Sequence, residues 1–225
     1  MSKTRKLVIV GDSAFAQIAY EYFTWDSEYE VAGFSVEAPF LKQSELCGLP
    51  LVPFETLEHY FPPADHDVYA AVVYTQLNRL RARLSGTAKQ KGYKLASYVS
   101  SKAFVWRNVR IGEHCFIFEN NVVQPFVCLG NDVVLWSGNH IGHHSSIGDH
   151  CFVSSHVVVS GFVEVGKYCF LGVNTTLVNN IKIADDCWIG PAVVLTRDTK
   201  AGSLYKPVKA ELSPISTYSY FKVAE

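Results

Sequence analysis

Histidine is concentrated in one part of this chain, and its side chain supports two kinds of chemistry. Six of the eight histidines lie between residues 114 and 156, and three of them fall within Asn139-His140-Ile141-Gly142-His143-His144. An imidazole titrates near neutral pH, so it can remove a proton from an attacking amine or hydroxyl. A neutral imidazole is also a good ligand for zinc. Residues 139–144 are therefore the first candidate for a site.

The elements that must position these histidines are indicated by a strict period of six. Neither a helix, with a period near 3.6, nor a single strand, with a period of two, produces that spacing. Short strands separated by regular corners do produce it, which predicts the hexapeptide form of a parallel β-helix. The periodic positions hold only Val, Ile or Leu: Val99, Val105, Ile111, Ile117, Val123, Leu129, Leu135, Ile141, Ile147, Val153, Val159, Val165, Leu171, Leu177, Ile183, Ile189 and Leu195.

The register of the repeat predicts which side chains are buried. The aliphatic residue that begins each hexad fills the interior, so residues two and three places later lie at the surface or a corner. His143 and His144 follow Ile141 at those distances and are predicted to be accessible. A small or β-branched residue four places after the aliphatic fits the corner. Four cysteines share that position and are predicted to be buried corner residues without disulfides: Cys115, Cys151, Cys169 and Cys187.

Composition limits the classes of function. The chain has 225 residues, a net charge of −1 and 48% hydrophobic residues, enough for one large domain or two modest ones. Nucleic acid is not expected as a partner, because phosphate binding needs a basic excess. No apolar signal segment follows the first six residues, and no apolar run approaches eighteen residues. We expect a soluble, cytoplasmic protein that does not bind a membrane.

The first 98 residues lack the period of six, and strand patterns alternate there with helix patterns. This order predicts βαβ units and a small parallel sheet, so residues 1–98 form an α/β domain before a β-helix domain of residues 99–225. The predicted strands are residues 6–10, 29–36, 66–73 and 93–97, with helices to Phe23 and over residues 76–92. Ligands bind beyond the carboxyl ends of such strands. Those ends place Gly11 to Phe15, Ser35 to Glu37, and Tyr74 to Gln76 in the candidate crevice.

The turn after the first strand carries only part of a nucleotide-binding motif. Gly11-Asp12-Ser13-Ala14-Phe15-Ala16 keeps one of the three glycines of GxGxxG. Asp12 adds negative charge where a phosphate would meet the helix start. A complete dinucleotide site is therefore not expected. The domain is either a docking module with a vestigial crevice or an acceptor-binding domain.

An α/β domain followed by a hexapeptide β-helix resembles the bacterial sugar acetyltransferases that modify nucleotide-linked amino sugars or sialic acid. The resemblance covers nearly the whole chain and implies a left-handed β-helix with eighteen residues per triangular coil. In that family the first turn commonly reads Gly-x-Ser-Gly-His-Gly and contacts the nucleotide sugar. Gly11 and Ser13 match that motif, while residues 14–16 differ. Gly11, Ser13 and Tyr74 are the substrate-binding candidates.

The same resemblance implies a role for His143. In the family the catalytic histidine is third in a hexad of the form Ile-x-His, as in Ile141-Gly142-His143. It acts as general base while the acceptor attacks the thioester directly, so no acyl-enzyme is needed. Family members often place a carboxylate beside this histidine, whereas Gly142 and His144 flank it here. The residues that could support it are His144, Asn139, Gln124 and Glu119.

The resemblance also implies acetyl-CoA as co-substrate, bound between adjacent subunits of a homotrimer. Carried over by position, the cofactor-binding residues are Gly161, Val173 and Pro191, with Lys206 near the CoA phosphates. Phe152 stands where many members have a histidine that contacts the cofactor. No metal is expected in this reading.

The sequence therefore predicts an acetyl-CoA-dependent acetyltransferase acting on a sugar, with a nucleotide-linked amino sugar as the leading acceptor. The alternative within the same class is O-acetylation of a glycan or free sugar hydroxyl. Two readings from other classes use the same fold. One is a zinc-dependent trimer like the β-helix carbonic anhydrases, with His114 and His150 as ligands. The other is a non-catalytic scaffold.

Overall fold

The structure is a computed structural model that describes residues 3–223. The N-terminal part is a six-stranded sheet in the order β3-β4-β2-β1-β5-β6, in which only β3 and β4 pair antiparallel. The strands are β1 (Arg5–Val10), β2 (Tyr29–Val36), β3 (Glu45–Leu46), β4 (Leu49–Pro53), β5 (His66–Ala70) and β6 (Lys94–Leu95). The helices are α1 (Ala14–Trp25), α2 (Leu57–Tyr60) and α3 (Arg79–Gln90), with single 3-10 turns at Ala38–Phe40 and Phe54–Thr56.

The predicted α/β order is confirmed, but several details of it are wrong. The strand predicted over residues 66–73 ends at Ala70, the strand predicted over residues 93–97 is Lys94–Leu95, and α2 was not predicted. The hairpin β3–β4 was missed, because Leu49-Pro50-Leu51-Val52-Pro53 contains two prolines and proline cannot donate to a sheet. Helix α3 begins at Arg79 rather than at residue 76. Residues 76–78 instead have φ values of 53°, 50° and 68°, in the left-handed region.

Residues 98–205 form a left-handed parallel β-helix of two-residue strands. The first face contains β7 (Tyr98–Val99), β10 (Phe116–Ile117), β13 (Val134–Leu135), β16 (Phe152–Val153), β19 (Phe170–Leu171), β22 (Trp188–Ile189) and β24 (Leu204–Tyr205). The second face contains β8 (Phe104–Val105), β11 (Val122–Val123), β14 (His140–Ile141), β17 (Val158–Val159), β20 (Thr176–Leu177) and β23 (Val194–Leu195). The third face contains β9 (Arg110–Ile111), β12 (Cys128–Leu129), β15 (Ser146–Ile147), β18 (Glu164–Val165) and β21 (Lys182–Ile183). The last helix, α4 (Thr217–Phe221), follows in the C-terminal tail.

Three edges join these faces, and they carry the polar side chains discussed below. The first edge joins the first and second faces, the second edge joins the second and third faces, and the third edge joins the third and first faces. Strands of one face pair in parallel with an offset of eighteen residues, as in Val122 with His140. Most corners contain one non-glycine residue with φ near 60°, such as Phe126, His144 and Phe162.

The interior of the prism is as the period of six predicts. Apart from the first coil, where Val99 is exposed, the periodic residues pack into one continuous aliphatic core. The four corner cysteines are buried, and each is free. Their prediction as structural residues is confirmed. Stacking of coils buries an interior that a single coil cannot bury alone.

The α/β sheet packs on the first face through a shared aromatic core. Phe116 and Phe118 of the β-helix and Phe15 and Phe23 of α1 are all buried in this core. The ring centroids of Phe15 and Phe116 lie 5.6 Å apart in an edge-to-face arrangement. The outward side of the first face is thus covered, while the second and third edges remain outside this core.

Candidate functional site

His143 and His144 lie at a corner of the second edge, directly after β14. Both side chains are exposed. The Nδ1 atoms of the two rings are 3.2 Å apart, which is hydrogen-bond distance. The side chain of Gln124, one coil earlier, accepts a hydrogen bond of 2.9 Å from the backbone N–H of His143. The structure therefore brings together three residues that the sequence predicted near one another.

Residues of neighbouring coils hold the two rings in place. Gly161 leaves room for the His143 ring, since a Cβ at that position would lie 2.7 Å from Cε1 and 2.9 Å from Nε2. His144 is stacked between Phe126 and Phe162, with centroid distances of 4.5 Å and 4.8 Å. Both phenylalanines are about half exposed. The corner thus presents an imidazole that is accessible and yet constrained.

Two of the predicted supporting residues do not meet His143. Asn139 is buried, and its amide bonds the carbonyl of Trp136 at 2.5 Å and the N–H of Val157 at 2.7 Å. The carboxylate of Glu119 instead accepts a 2.7 Å hydrogen bond from the hydroxyl of Tyr22. Burial tends to raise the pKa of Glu119, but hydrogen bonds from Ser137 and Tyr22 leave it below its ordinary value. Neither residue orients the His143 ring.

A cavity of about 380 Å³ lies at the carboxyl ends of β1, β2 and β5, where the sheet topology predicts a ligand. Its apolar wall is formed mainly by Val10, Val36, Phe40, Val72, Val73, Leu80 and Leu84. Its polar wall consists of Gly11, Asp12, Ser13, Glu37, Lys42 and Thr75. Two of the predicted substrate-binding residues, Gly11 and Ser13, therefore line one cavity.

Charge in this cavity is unevenly distributed. Arg83 forms a two-pronged ion pair with Glu37, with both N–O distances 2.9 Å. That hydrogen-bonded guanidinium holds the pKa of Glu37 below its ordinary value. Lys42 and Asp12 also line the cavity and add one positive and one negative side chain to its wall.

Tyr74, the third predicted substrate-binding residue, lies outside the wall of this cavity. Its ring packs against Phe152 and Phe170 of the first face, with centroid distances of 5.3 Å and 4.6 Å. Its neighbours Val73 and Thr75 line the cavity. The loop after β5 is thus shared between the cavity and the β-helix.

The four predicted cofactor-binding residues lie on more than one edge. Gly161 is on the second edge beside His143, whereas Val173 and Pro191 are on the first edge and are exposed. Lys206 is exposed directly after β24. The second face separates the two edges. One chain by itself therefore does not gather these residues into a single groove.

A buried charged cluster on the third edge was not predicted from the sequence. Asp132 accepts hydrogen bonds from Arg81 at 2.9 Å and from the Nδ1 atoms of His114 at 2.6 Å and His150 at 2.8 Å. Arg81 is fully buried. Burial tends to raise the pKa of Asp132, but the Arg81 charge and the histidine hydrogen bonds lower it strongly. A signal existed in the sequence, because residues 114, 132 and 150 are polar at successive intervals of one coil.

The hydrogen bonds of this cluster prevent His114 from acting as a zinc ligand, as the zinc alternative requires. Nε2 of His114 accepts a hydrogen bond of 2.8 Å from the backbone N–H of Ala70, and its Nδ1 bonds Asp132. Both ring nitrogens are therefore occupied, so His114 cannot bind a metal in this arrangement. Across residues 3–223, no group of three or more His, Cys, Asp or Glu side chains is placed so that it could hold a metal ion.

The architecture and the repeat together define the structural class. A model of the bacterial transferase hexapeptide (six repeats) matches residues 129–161, the coils that carry His143. The chain thus has the fold of the hexapeptide-repeat left-handed β-helix transferases, and the resemblance inferred from the sequence is confirmed for the fold and the repeat.

Solved structures share this fold over most of the chain. The acetyltransferase domain of PglB from Neisseria gonorrhoeae is 20% identical, with 91% of this chain and 97% of that chain covered and a TM-score of 0.81. A mutant of perosamine N-acetyltransferase from Caulobacter crescentus, bound to CoA and GDP-perosamine, is 23% identical, with coverages of 93% and 97% and a TM-score of 0.79. WeeI from Acinetobacter baumannii is 19% identical, with coverages of 89% and 96% and a TM-score of 0.68. No curated protein sequence matches the chain.

In the part of the chain that the structure describes, no helix has both the length and the apolar character needed to cross a bilayer.

Proposed function

We propose that this protein is an acetyl-CoA-dependent acetyltransferase that acts on a sugar, with a nucleotide-linked amino sugar as the acceptor. Residues 1–98 bind the acceptor and residues 99–225 carry the acyl transfer. The observation that carries this proposal is the accessible His143 imidazole, held at a β-helix corner in a fold shared with PglB and perosamine N-acetyltransferase. The perosamine enzyme is described with CoA and a GDP-linked sugar bound.

His143 acts as the general base. Its Nδ1 is engaged with His144, so Nε2, above Gly161, is the atom that takes the proton. Acetyl-CoA supplies the acetyl group as a thioester, whose carbonyl carbon an amine or hydroxyl attacks directly. The C–S bond then breaks, and CoA leaves as a thiol that carries the proton taken from the acceptor. Removal of the acceptor's proton by a positioned imidazole contributes about 10² to 10⁴ in rate.

The cavity of the α/β domain fits the acceptor. Its apolar wall suits a base, and Lys42 can pair with a diphosphate while Ser13 and Thr75 offer hydroxyl groups. Gly11 has a φ of 134°, and a Cβ there would lie 2.8 Å from the carbonyl of Ala71. A side chain at position 11 would therefore push the turn away from β5.

The site requires a second copy of the chain, and we propose a homotrimer. The α/β domain covers the first face, whereas His143 is on the opposite, second edge. The exposed second face carries apolar side chains that point outward, including Phe104, Val158 and Val194. The outward row of the third face is mostly polar or charged, with Arg110, Glu164 and Lys182 exposed. Packing of the second face against another copy would place His143 beside that copy's first edge or acceptor cavity.

The proposal is tested by substitution of the base. His143→Asn, which keeps a similar volume, should lower kcat by about 10² to 10⁴ without loss of the fold. The assay is thiol release from acetyl-CoA with UDP-, dTDP- and GDP-linked amino sugars, with the product identified by mass spectrometry. His59→Asn is the matched control, since His59 is an exposed histidine on α2 that lies outside the β-helix and does not line the cavity. Wild-type turnover by the His143 variant would remove that residue from the role.

One observation favours a second acceptor, the hydroxyl of a glycan or free sugar. Asp12 places a carboxylate in the cavity wall beside the start of α1, where it repels a phosphate. Acetylation of plain sugars but of no nucleotide sugar in the same screen would select this O-acetyltransferase reading.

A further inference from the structure

We propose that His144 is a positioning residue, which holds His143 in the tautomer that leaves Nε2 free to accept a proton. This inference rests on the proposed acetyl transfer. It assigns to the neutral imidazole of His144 the orientation of His143, a task that a neighbouring carboxylate more often performs.

The geometry of the two rings permits one hydrogen between the Nδ1 atoms, which lie 3.2 Å apart. If His143 carries that hydrogen, its Nε2 has a free lone pair and can act as a base. If His144 carries it, neutral His143 must hold its own proton on Nε2 and cannot act as a base. The function of His143 therefore depends on His144 accepting rather than donating at Nδ1.

The local backbone and two neighbouring aromatic rings hold the His144 side chain in that position. Its backbone is left-handed, with a φ of 59°, and its N–H donates to the carbonyl of Pro125 at 3.2 Å. Phe126 and Phe162 clamp the ring on both faces at interplanar angles of 24° and 12°. The clamp fixes the plane of the imidazole and so aims Nδ1 at His143.

The pair has a property that a histidine–carboxylate pair lacks. A proton taken up by His144 adds a hydrogen at its Nδ1, which then donates to His143 and turns His143 into the inactive tautomer. A hydrogen on Nδ1 of His144 is therefore incompatible with the active tautomer of His143.

The experiment compares variants that separate packing from hydrogen bonding. His144→Phe keeps an aromatic ring in the clamp but has no acceptor, and Phe126 and Phe162 show that phenylalanine tolerates the same corner conformation. His144→Asn has an amide oxygen that can accept from His143, and asparagine suits a left-handed backbone. His59→Phe is the matched control, because His59 is an exposed histidine on α2, outside the β-helix.

We expect His144→Phe to lower kcat about ten- to hundredfold, with KM changed less than about twofold. His144→Asn should recover most of that loss, and His59→Phe should behave as the wild type. Nitrogen NMR of labelled histidine should show His143 protonated at Nδ1 in the wild type and in His144→Asn, and mainly at Nε2 in His144→Phe. The NMR measurement requires no turnover.

Two results would overturn the inference: an unchanged kcat in His144→Phe, or equal losses in the Phe and Asn variants with no change of tautomer. The second result would mean that His144 serves packing alone. If wild-type protein transfers acetyl groups to none of the sugars tested while the NMR pattern is as expected, the proposed function fails and the orientation of His143 stands.

Discussion

Asp132 is the residue on which the third edge depends. Its carboxylate compensates Arg81, whose side chain is fully buried. Asp132→Asn would leave that guanidinium in the interior without a counter-charge, which typically costs about 3–5 kcal/mol. Urea unfolding should show this loss of stability. Glu164→Gln, which removes an exposed ion pair with Lys182, is the control and should unfold as the wild type does.

The pH dependence of the stability of the wild type and of Asp132→Asn follows from the direction of the Asp132 pKa shift. Folding lowers the pKa of Asp132 from an ordinary value of 3.8. The contribution of its ionised carboxylate to the free energy of unfolding is therefore present above that pH and decreases as pH falls. The stability difference between wild type and Asp132→Asn should therefore narrow below about pH 4. A difference that widens on acidification would contradict this account of the cluster.

For individual residues, the sequence predicted which side chains are exposed better than it predicted which residues they contact. The register of the hexads correctly places His143 and His144 at the surface, because a position relative to Ile141 is a local property. It could not identify the partner of Asp132, since Arg81 comes from α3, 51 residues away in the chain. It also could not separate Gln124, which bonds His143, from Asn139, which serves its own corner.

The hexad is the unit of structure at the scale of elements, and its first residue carries most of the stabilisation. Leu135 is fully buried in the prism interior. Leu135→Ala should lower the free energy of unfolding by about 2–5 kcal/mol, through lost burial and a cavity that stacked coils cannot close. Glu164→Ala is the control, because the Glu164 side chain is 61% exposed on the outer side of the third face. Urea midpoints of the two variants that shift equally would contradict the inside–outside assignment.

Elements with a strict period were predictable, whereas those set by tertiary contacts were not. The period of six gives β7 to β23, because interior packing and corner geometry repeat unchanged. It does not give β24, which lies beyond the last periodic residue, Leu195. The left-handed turn at residues 76–78 has no such local cause. Asn78 is held there by bonds from its amide to the carbonyl of Cys169 and from Arg81. The helix α3 therefore begins only after a turn that the β-helix itself stabilises.

At the scale of the whole molecule, the α/β sheet and the β-helix depend on each other. The outward aromatic residues of the first face would be exposed if the sheet were absent, and the rings of α1 would lose their partners. The sequence suggested two domains because the periodicity changes near residue 98. It gave no sign of the docking, which unites side chains from α1 and from several coils. The docked sheet in turn leaves only the second and third faces for contact with other copies.

A substitution on the second face can test whether activity depends on the assembly of several copies. Val158 lies in its outward row, and Val158→Glu would place a charge in an apolar contact, which is costly when buried. We expect sedimentation to show monomers, circular dichroism to show an intact fold, and acetyl transfer to fall strongly although His143 is unchanged. Lys182→Glu, a charge change on the third face, should remain trimeric and active. A fully active Val158→Glu monomer would mean that one chain contains the entire site, because then neither the cavity nor the cofactor residues on the first edge would need to come from a second copy.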